Sequence, residues 1–209
     1  MIEPQKKNLH AALLNWFLDK KFKKRFSSIN FLPLNLVEQN KSLLVIGNHS
    51  TWWDGFLVWE LNRRVLNRNF YAMMLEEQLK RFWFFQKVGC FSIDPGSRSV
   101  VKSLAFGAKL LENPKNMLLF YPQGKFSSLY NENFEFNKGV DFILKRCSES
   151  SILLFYALFI DFSANELPYA DIYFKSIEIN KDDTFTTIET KYKEFYTEAK
   201  QKHISDFKI

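Results

Sequence analysis

Three short, continuously apolar runs place the strongest constraint on how this chain folds. They extend from Leu43 to Gly47, from Met117 to Tyr121 and from Ile152 to Phe159. Strands that are buried on both faces have this continuous apolar character, which is typical of parallel sheets. Segments with helical apolar spacing lie between the runs. We therefore predict an α/β fold: a single domain with a mixed, mostly parallel central sheet flanked by helices.

The other elements are predicted from the same periodicities. Further strands are expected over residues 70–75, 91–93 and 171–179, and the last of these is expected to be the more exposed one. A connector is expected over residues 31–40, which contain Pro33. Helices are predicted over residues 8–26, 53–67, 76–86, 99–112, 138–146 and 186–203.

A histidine and an aspartate follow the first apolar run, in the sequence Asn48-His49-Ser50-Thr51-Trp52-Trp53-Asp54. A buried strand would deliver His49 to the end of the sheet, and a following helix would bring Asp54 back beside it. A carboxylate on one ring nitrogen fixes the tautomer and leaves the other nitrogen free as a base. We predict a His49–Asp54 pair that deprotonates a hydroxyl. The alternatives are a histidine that satisfies a loop and an aspartate that caps the helix.

Three further motifs follow in order. They are Val88-Gly89-Cys90-Phe91-Ser92-Ile93-Asp94, Phe120-Tyr121-Pro122-Gln123-Gly124-Lys125-Phe126-Ser127 and Phe136-Asn137-Lys138-Gly139-Val140. Together with Asn48, His49 and Asp54, they resemble the glycerolipid acyltransferase family, which includes the lysophosphatidic acid acyltransferase-like enzymes. The family's corresponding blocks are Gly-x-x-x-Ile-Asp-Arg, Phe-Pro-Glu-Gly-Thr-Arg-Ser and Phe-x-x-Gly. The resemblance covers residues 43–160, and the order and spacing of the blocks make it specific.

The resemblance implies transfer of a fatty acyl group from a thioester, acyl-CoA or acyl carrier protein, to a hydroxyl of a lipid-like acceptor. His49 would be the general base and Asp54 would orient it, with no acyl-enzyme, no metal and no cofactor beyond the thioester substrate. Backbone amides near Gly124 would stabilise the oxyanion. The implied substrate-binding residues are Asn48, Arg98, Pro122, Gln123, Gly124 and Lys125.

The departures from the family pattern concern phosphate binding. The two arginines with which the family is thought to hold a glycerol phosphate are Pro95 and Phe126 here, and the usual glutamate is Gln123. Arginine suits phosphate because its planar fork binds two oxygens. We therefore expect an acceptor other than lysophosphatidic acid, such as a lyso-aminolipid, a glycolipid or a glycosylated pigment. Arg98 and Lys125 are either substitutes for the arginines or solvated charges.

Three function classes remain open from the sequence. The first is an active acyltransferase, with the standard 1-acyl-glycerol-3-phosphate reaction as the alternative to a changed acceptor. The second is a non-catalytic lipid-binding relative, because the third motif has changed. The third is a hydrolase in which His49 activates water, which no metal-ligand cluster or nucleophile elbow supports.

The net charge of +6 lies almost entirely near the N-terminus, since residues 1–30 hold seven of the 29 basic side chains and two of the 23 acidic ones. We predict a basic amphipathic helical segment over residues 1–35, followed by an acyltransferase domain over residues 36–209. Such a helix suits an anionic membrane surface. The alternative is an ordinary surface helix packed on the core. Its apolar stripe is Leu9, Ala12, Leu13, Trp16 and Phe17.

Other classes are excluded by features that the sequence lacks. No apolar run approaches the length of about 18 residues that a spanning helix needs, and there is no secretory signal pattern. No glycine-rich nucleotide loop appears, and the balanced charge beyond residue 30 argues against a nucleic-acid partner. Cys90 and Cys147 fit no metal spacing and are expected to be reduced packing residues. We expect a peripheral protein on the cytoplasmic face of a membrane.

Overall fold

A mixed sheet forms the centre of the computed structural model, which describes residues 1–35, 38, 40–146, 151–180 and 182–207. Within these residues the sheet has seven strands. They are β1 (Ser28–Pro33), β2 (Ser42–Gly47), β3 (Asn69–Leu75), β4 (Cys90–Ile93), β5 (Asn116–Phe120), β6 (Ser151–Asp161) and β7 (Tyr169–Glu178). Their order across the sheet is β1-β7-β6-β2-β5-β3-β4. All neighbours are parallel except β6 and β7, so the predicted mixed, mostly parallel sheet is confirmed.

Helices cover both faces of this sheet, as predicted. They are α1 (Asn8–Arg25), α2 (Asp54–Leu61), α3 (Glu76–Arg81), α4 (Val100–Leu110), α5 (Gly139–Leu144) and α6 (Phe185–Ser205). A π-helical turn, Asn62–Leu66, extends α2, and a 3-10 helix, Trp83–Val88, follows α3. The helix predicted over residues 76–86 is therefore divided into two short ones.

The central strand β2 shows how the two layers are built. Its side chains alternate between the faces of the sheet, as in any strand. Leu43 and Val45 pack in the layer that contains α1 and α2, whereas Leu44 and Ile46 pack in the layer that contains α4, α5 and α6. Every residue of β2 is buried, which explains why its sequence is apolar from Leu43 to Gly47.

The connector predicted over residues 31–40 is wrong at its start, because Ser28–Pro33 is an edge strand. β1 pairs in parallel with β7, with Phe31 opposite Ile172. Because β1 covers that edge, β7 lies inside the sheet and its residues 170–174 are buried. Its later residues are partly buried or exposed, so β7 is more exposed than the central strands β2, β5 and β6, as expected. The segment boundary predicted between residues 35 and 36 falls after a strand of the sheet. Residues 36, 37 and 39 of the predicted connector, and Cys147, lie outside the described residues.

The N-terminal helix α1 is present, but its buried face differs from the predicted stripe. Leu14, Leu18 and Phe22 pack against the core. The five residues of the predicted stripe face solvent instead. The segment before α1 is held against the 3-10 helix, because the Gln5 and Lys7 amides donate to backbone carbonyls of that helix. Of the helices in the described residues, none has both the length and the apolar content to cross a membrane.

Candidate active site

Two adjacent strand ends bring the first and third motifs together. β2 and β5 are parallel neighbours, with Ile46 opposite Phe120. Their carboxyl ends therefore meet at one edge of the sheet, which is where open α/β sheets bind their ligands. His49 follows β2 and the loop of residues 121–127 follows β5. The Ser127 amide donates to the His49 carbonyl oxygen at 2.8 Å and joins the two segments.

His49 and Asp54 form the pair that their spacing predicts. His49 Nδ1 lies 2.9 Å from Asp54 Oδ2, and the Asp54 side chain is fully buried. The Asp54 carboxylate also accepts from the backbone amides of Ser50 and Thr51, at 2.6 and 3.0 Å, and from the Thr51 hydroxyl at 2.6 Å. Asp54 is the first residue of α2, where the helix dipole favours a negative charge. With Nδ1–H donating to Asp54, Nε2 of His49 carries the free lone pair.

Two aromatic rings enclose the imidazole. The Tyr121 ring stacks on His49 at 3.8 Å between centroids, with an interplanar angle of 15°. The Phe126 ring stacks on the other face at 4.0 Å and 28°. Phe126 itself is 60% exposed, so it forms the outer wall of the site. The imidazole is therefore reached along its edge rather than across either face.

A buried tyrosine supports this stack from below. The Tyr156 hydroxyl donates to the Tyr121 hydroxyl at 3.0 Å and lies 3.3 Å from the Asn48 carbonyl oxygen. Burial, together with the nearby charge of Asp54, raises the pKa of Tyr121 and of Tyr156 well above the ordinary value for a phenol. Both hydroxyls therefore stay protonated near neutral pH and serve as hydrogen-bonding groups rather than as bases.

Asn48 holds the end of β2 to the neighbouring strand β6. Its side chain donates to the Leu158 carbonyl oxygen at 3.1 Å and accepts from the Leu158 amide at 2.9 Å. It is 2% exposed. In this structure its amide group contacts backbone rather than open space, and it fixes the strand end from which His49 projects.

The loop of residues 121–127 is held by Asn137. The Asn137 side chain donates to the carbonyl oxygens of Pro122 and Gln123, at 2.9 and 3.1 Å. Gly124 has φ of +67°, a left-handed conformation that favours glycine. Its amide donates to the Tyr121 carbonyl oxygen and is engaged within the turn. The amides of Lys125 and Phe126, by contrast, have no acceptor among the described residues.

Two buried oxygen atoms on the same loop also lack a hydrogen-bond partner within the described residues. They are Gln123 Oε1 and Ser127 Oγ. Leaving a buried polar atom unpaired costs about 1–3 kcal/mol. A ligand with a hydroxyl or amide donor would recover that cost at Gln123.

The two basic candidates differ in position. Lys125 is exposed on the loop beside Phe126, whereas Arg98 is exposed after β4, two strands beyond β5. Among the described contacts, no hydrogen bond or ion pair joins Arg98 to His49 or to the loop. The structure therefore brings together His49, Asp54 and residues 122–125 around one strand edge, and it leaves Arg98 at a distance from them.

Other nucleophile and metal chemistry finds little support in the described part of the chain. It contains no group of three or more His, Cys, Asp or Glu that could hold a metal ion. Cys90 is a buried free thiol, and burial raises its pKa to about 12. At neutral pH Cys90 is therefore protonated and a poor nucleophile.

Sequence reasoning missed three supporting side chains. Tyr156 lies inside an apolar strand, and the glycine that makes room for it, Gly47, was the available signal. Asn137 was noted only as part of a motif, although an asparagine beside a turn is a common backbone clamp. The position of Phe126 over His49 depends on loop geometry that no local pattern encodes.

Comparison with known proteins gives one match. A family model described as Acyltransferase matches residues 28–154, which is more than half of the chain. The match begins at the first residue of β1 and contains His49, Asp54 and the loop of residues 121–127. No curated protein matches the chain in a sequence search.

Proposed function

This chain belongs to the acyltransferase family, and from that premise we propose that it moves a fatty acyl group from a thioester to a hydroxyl of a phosphate-free, lipid-like acceptor at a membrane surface. The family match confirms the resemblance drawn from the motifs, and the chain is an acyltransferase enzyme. The finer proposal depends above all on one observation. His49 lies 2.9 Å from the fully buried carboxylate of Asp54, with its other ring nitrogen free.

His49 acts as the general base in the proposed reaction. Nε2 takes the proton of the acceptor hydroxyl while that oxygen attacks the thioester carbonyl carbon. The tetrahedral intermediate then collapses, the carbon–sulfur bond breaks, and the leaving thiolate receives the proton from His49. Asp54 keeps the imidazole in the required tautomer and stabilises its charged form. General-base help of this kind contributes typically about 10²–10⁴-fold.

Backbone amides of the third motif stabilise the oxyanion in this proposal. The amides of Lys125 and Phe126 are the candidates, because the Gly124 amide is engaged within the turn and the Ser127 amide is bonded to His49. Phe126 also stacks on His49, which puts its backbone close to the base. Preorganised amides stabilise a developing oxyanion without reorganisation, and loss of one donor costs about 10²–10³-fold in kcat in a well-studied hydrolase.

The acceptor head carries no phosphate in this proposal. An exposed phenyl ring, Phe126, stands over the base where the family has a phosphate-binding arginine. The unpaired oxygens of Gln123 and Ser127 are neutral groups that suit a hydroxyl or an amide. Lyso-aminolipids, glycolipids and glycosylated pigments offer such groups. Lys125 and Arg98 would matter only if the acceptor carried a phosphate.

Exposed apolar side chains on α1 support the membrane placement. Leu9 is 68% exposed, Leu13 49% and Trp16 59%, although each is a residue that proteins usually bury. A bilayer interface accepts such residues on one side of a basic helix. Each Lys or Arg near an anionic surface adds about 1 kcal/mol of attraction. We place the protein as a peripheral protein on the cytoplasmic face.

The test is a transfer assay with a defined set of donors and acceptors. Purified protein is incubated with palmitoyl-CoA or palmitoyl-acyl carrier protein and a total lipid extract, and acylated products are identified by mass spectrometry. A parallel reaction contains lysophosphatidic acid as the acceptor. We expect a new ester on an uncharged or amino-containing lipid, and we expect His49→Ala to reduce its rate by about 10²-fold or more.

His203→Ala provides the matched control. His203 also pairs with a carboxylate, Asp171, at 3.0 Å, but it lies on α6, outside the site. A folded His203→Ala protein should retain the transfer rate. A His49→Ala protein with full activity would contradict the base assignment. Phosphatidic acid as the main product would overturn the acceptor argument and would show that Lys125 or Arg98 replaces the missing arginines. Thioester cleavage without an acylated product would favour hydrolysis.

A further inference from the structure

A groove runs along α1 on the side that faces the first motif. Leu13, Phe17, Lys21 and Arg25 are spaced four residues apart, so they form one ridge along the helix. From Leu13 to Arg25 the ridge rises about 18 Å, at 1.5 Å for each residue step. The segment after His49 and the 3-10 helix form the opposite wall.

The two halves of this groove differ in chemistry. The first half is an apolar cavity of about 370 Å³, and the second is a smaller cavity of about 270 Å³. Phe17 and Trp52 line both, so the two cavities adjoin. The apolar half is lined further by Leu13, Trp16, Phe56, Phe84 and Phe85. The other half adds Lys21, Arg25 and Trp53.

The two cations in the second half have no acidic partner within the described residues. Lys20 lies over the Trp16 ring, and Arg63 pairs with Asp19 and Glu60. The Lys21 ammonium lies 5.5 Å from the centroid of the Phe17 ring, which also lines the groove. The aromatic wall is fixed, because Trp53 packs against Phe22 at 5.8 Å and against Trp52 at 5.0 Å between ring centroids. The groove therefore presents two positive charges that have no acidic partner in the described part of the chain, beside a preformed apolar surface.

We propose that this groove binds a single anionic phospholipid, with the head-group phosphate between Lys21 and Arg25 and an acyl chain along the apolar half. The inference deepens the proposed membrane placement and rests on it. An amphiphile is the one kind of molecule that matches both halves at once, since the charged end is complementary to the cations and the chain to the aromatic half. An acidic protein surface would leave the apolar half empty.

The arrangement favours a bilayer lipid over an acyl thioester, although both carry phosphate and a chain. The apolar half is bordered by Trp16 and by the exposed side chains of Leu9 and Leu13, which the proposed docking immerses in the interface. A bilayer lipid enters this half by lateral movement within the membrane, without passing through water. Anionic lipid would then fix the position of α1, and with it the Trp52-Trp53 segment that follows His49.

The test compares two double variants of the full chain that remove the same charge from the same helix. Lys21→Gln/Arg25→Gln changes the groove, and Lys23→Gln/Lys24→Gln changes exposed positions outside it. Sedimentation is measured with vesicles of phosphatidylcholine alone and with vesicles that also contain phosphatidylglycerol. We expect the groove variant to lose about tenfold more affinity for the anionic vesicles than the control variant loses, because paired cations hold a phosphate more strongly than dispersed ones.

Two competitors identify the source of the phosphate. A soluble short-chain phosphatidylglycerol should bind to the wild type and not to the groove variant, and inorganic phosphate alone should compete weakly. Equal loss in the two double variants would overturn the proposal in favour of diffuse surface attraction. A groove variant that loses palmitoyl-CoA binding but keeps its lipid binding would also overturn the proposal, and would make the groove a site for the acyl donor. The readout is lipid binding, so a failure of the proposed transfer reaction leaves it interpretable.

Discussion

At the scale of single residues, the contact between Gly47 and Tyr156 helps to position the imidazole of His49. A Cβ atom on Gly47 would lie 2.1 Å from the Tyr156 ring, so the ring occupies the place of the missing side chain. Tyr156 in turn bonds to Tyr121, and Tyr121 stacks on His49. A change at Gly47 is therefore passed to the base through two aromatic rings.

Gly47→Ala is expected to displace Tyr156 and to lower kcat together with the melting temperature, since overpacking a core costs about 1–3 kcal/mol. Gly55→Ala is the matched control, because a Cβ atom there meets nothing within 4 Å. Thermal unfolding and initial rates of the two variants are compared. Equal behaviour of the two would show that the Gly47 contact does not position His49.

The residues of the site were predictable to different degrees. The His49–Asp54 pair was predictable from local geometry. A helix that begins shortly after a strand brings the side chain five residues after His49 back beside the strand end. The roles of Tyr156 and Asn137 were not predictable. These residues lie 107 and 88 positions beyond His49, and only the folded sheet brings their elements to the site. Nor does sequence indicate that an exposed phenylalanine stacks on the base.

At the scale of elements, the third-motif loop depends on Asn137, which lies just before α5. Its side-chain amide bridges two successive carbonyl groups and thereby shapes the turn that presents the Lys125 and Phe126 amides. Asn137 thus holds the loop through bonds that do not involve His49. A substitution at Asn137 can therefore change the loop separately from the base.

Asn137→Ala removes both bonds and should lower kcat by about tenfold, which corresponds to about 1.4 kcal/mol of transition-state stabilisation. The KM for the acceptor should change less. Asn133→Ala serves as the control, because Asn133 is exposed on the same segment and its side chain makes no hydrogen bond within the described residues. Steady-state kinetics at saturating donor measure the effect. An unchanged kcat in Asn137→Ala would remove the loop amides from the proposed mechanism.

The elements that sequence predicted best are those with one unambiguous pattern. β2, β5 and β6 each contain a continuous apolar run, because both faces of the run are buried. β1 escaped prediction because Ser28, Asn30 and Pro33 interrupt its apolar residues, and its place comes from pairing with a strand about 140 positions away. The orientation of α1 escaped prediction for a related reason. Apolar residues occupy two of its faces, so spacing alone does not tell the buried face from the exposed one.

At the scale of the whole molecule, ion pairs and hydrogen bonds to carboxylates join different elements of the fold. Arg63, after α2, bonds to Asp19 of α1 and lowers the pKa of that carboxyl. Glu76 bonds to Lys80 and Ser92, which lowers its pKa. Burial alone would raise the pKa of Glu189, but Lys193 and the Phe136 amide lower it overall. All three carboxyls are thus more acidic in the folded protein.

These shifts give the sign of the pH dependence. A carboxyl with a lowered folded pKa stabilises the protein fully above its unfolded value, here 3.8 for Asp and 4.5 for Glu. That stabilisation is lost as the pH falls through the lower, folded value. The melting temperature should therefore decrease below about pH 4.5, and Glu189→Gln should reduce the slope of that decrease. Calorimetry between pH 7 and pH 3 measures it. A flat profile in the wild type would contradict the assignment.

The exposed indole rings of the protein have an optical consequence. Trp16, Trp52 and Trp83 are each about 60% exposed, whereas Trp53 and Trp59, the other two of the five tryptophans, are partly buried. Indole emission moves to shorter wavelength when the ring leaves water. Trp16 and Trp52 lie at the groove that the proposed docking would cover, so their emission reports on that contact. Contact with a bilayer would therefore be measurable as a shift of the tryptophan emission to shorter wavelength, without any added dye.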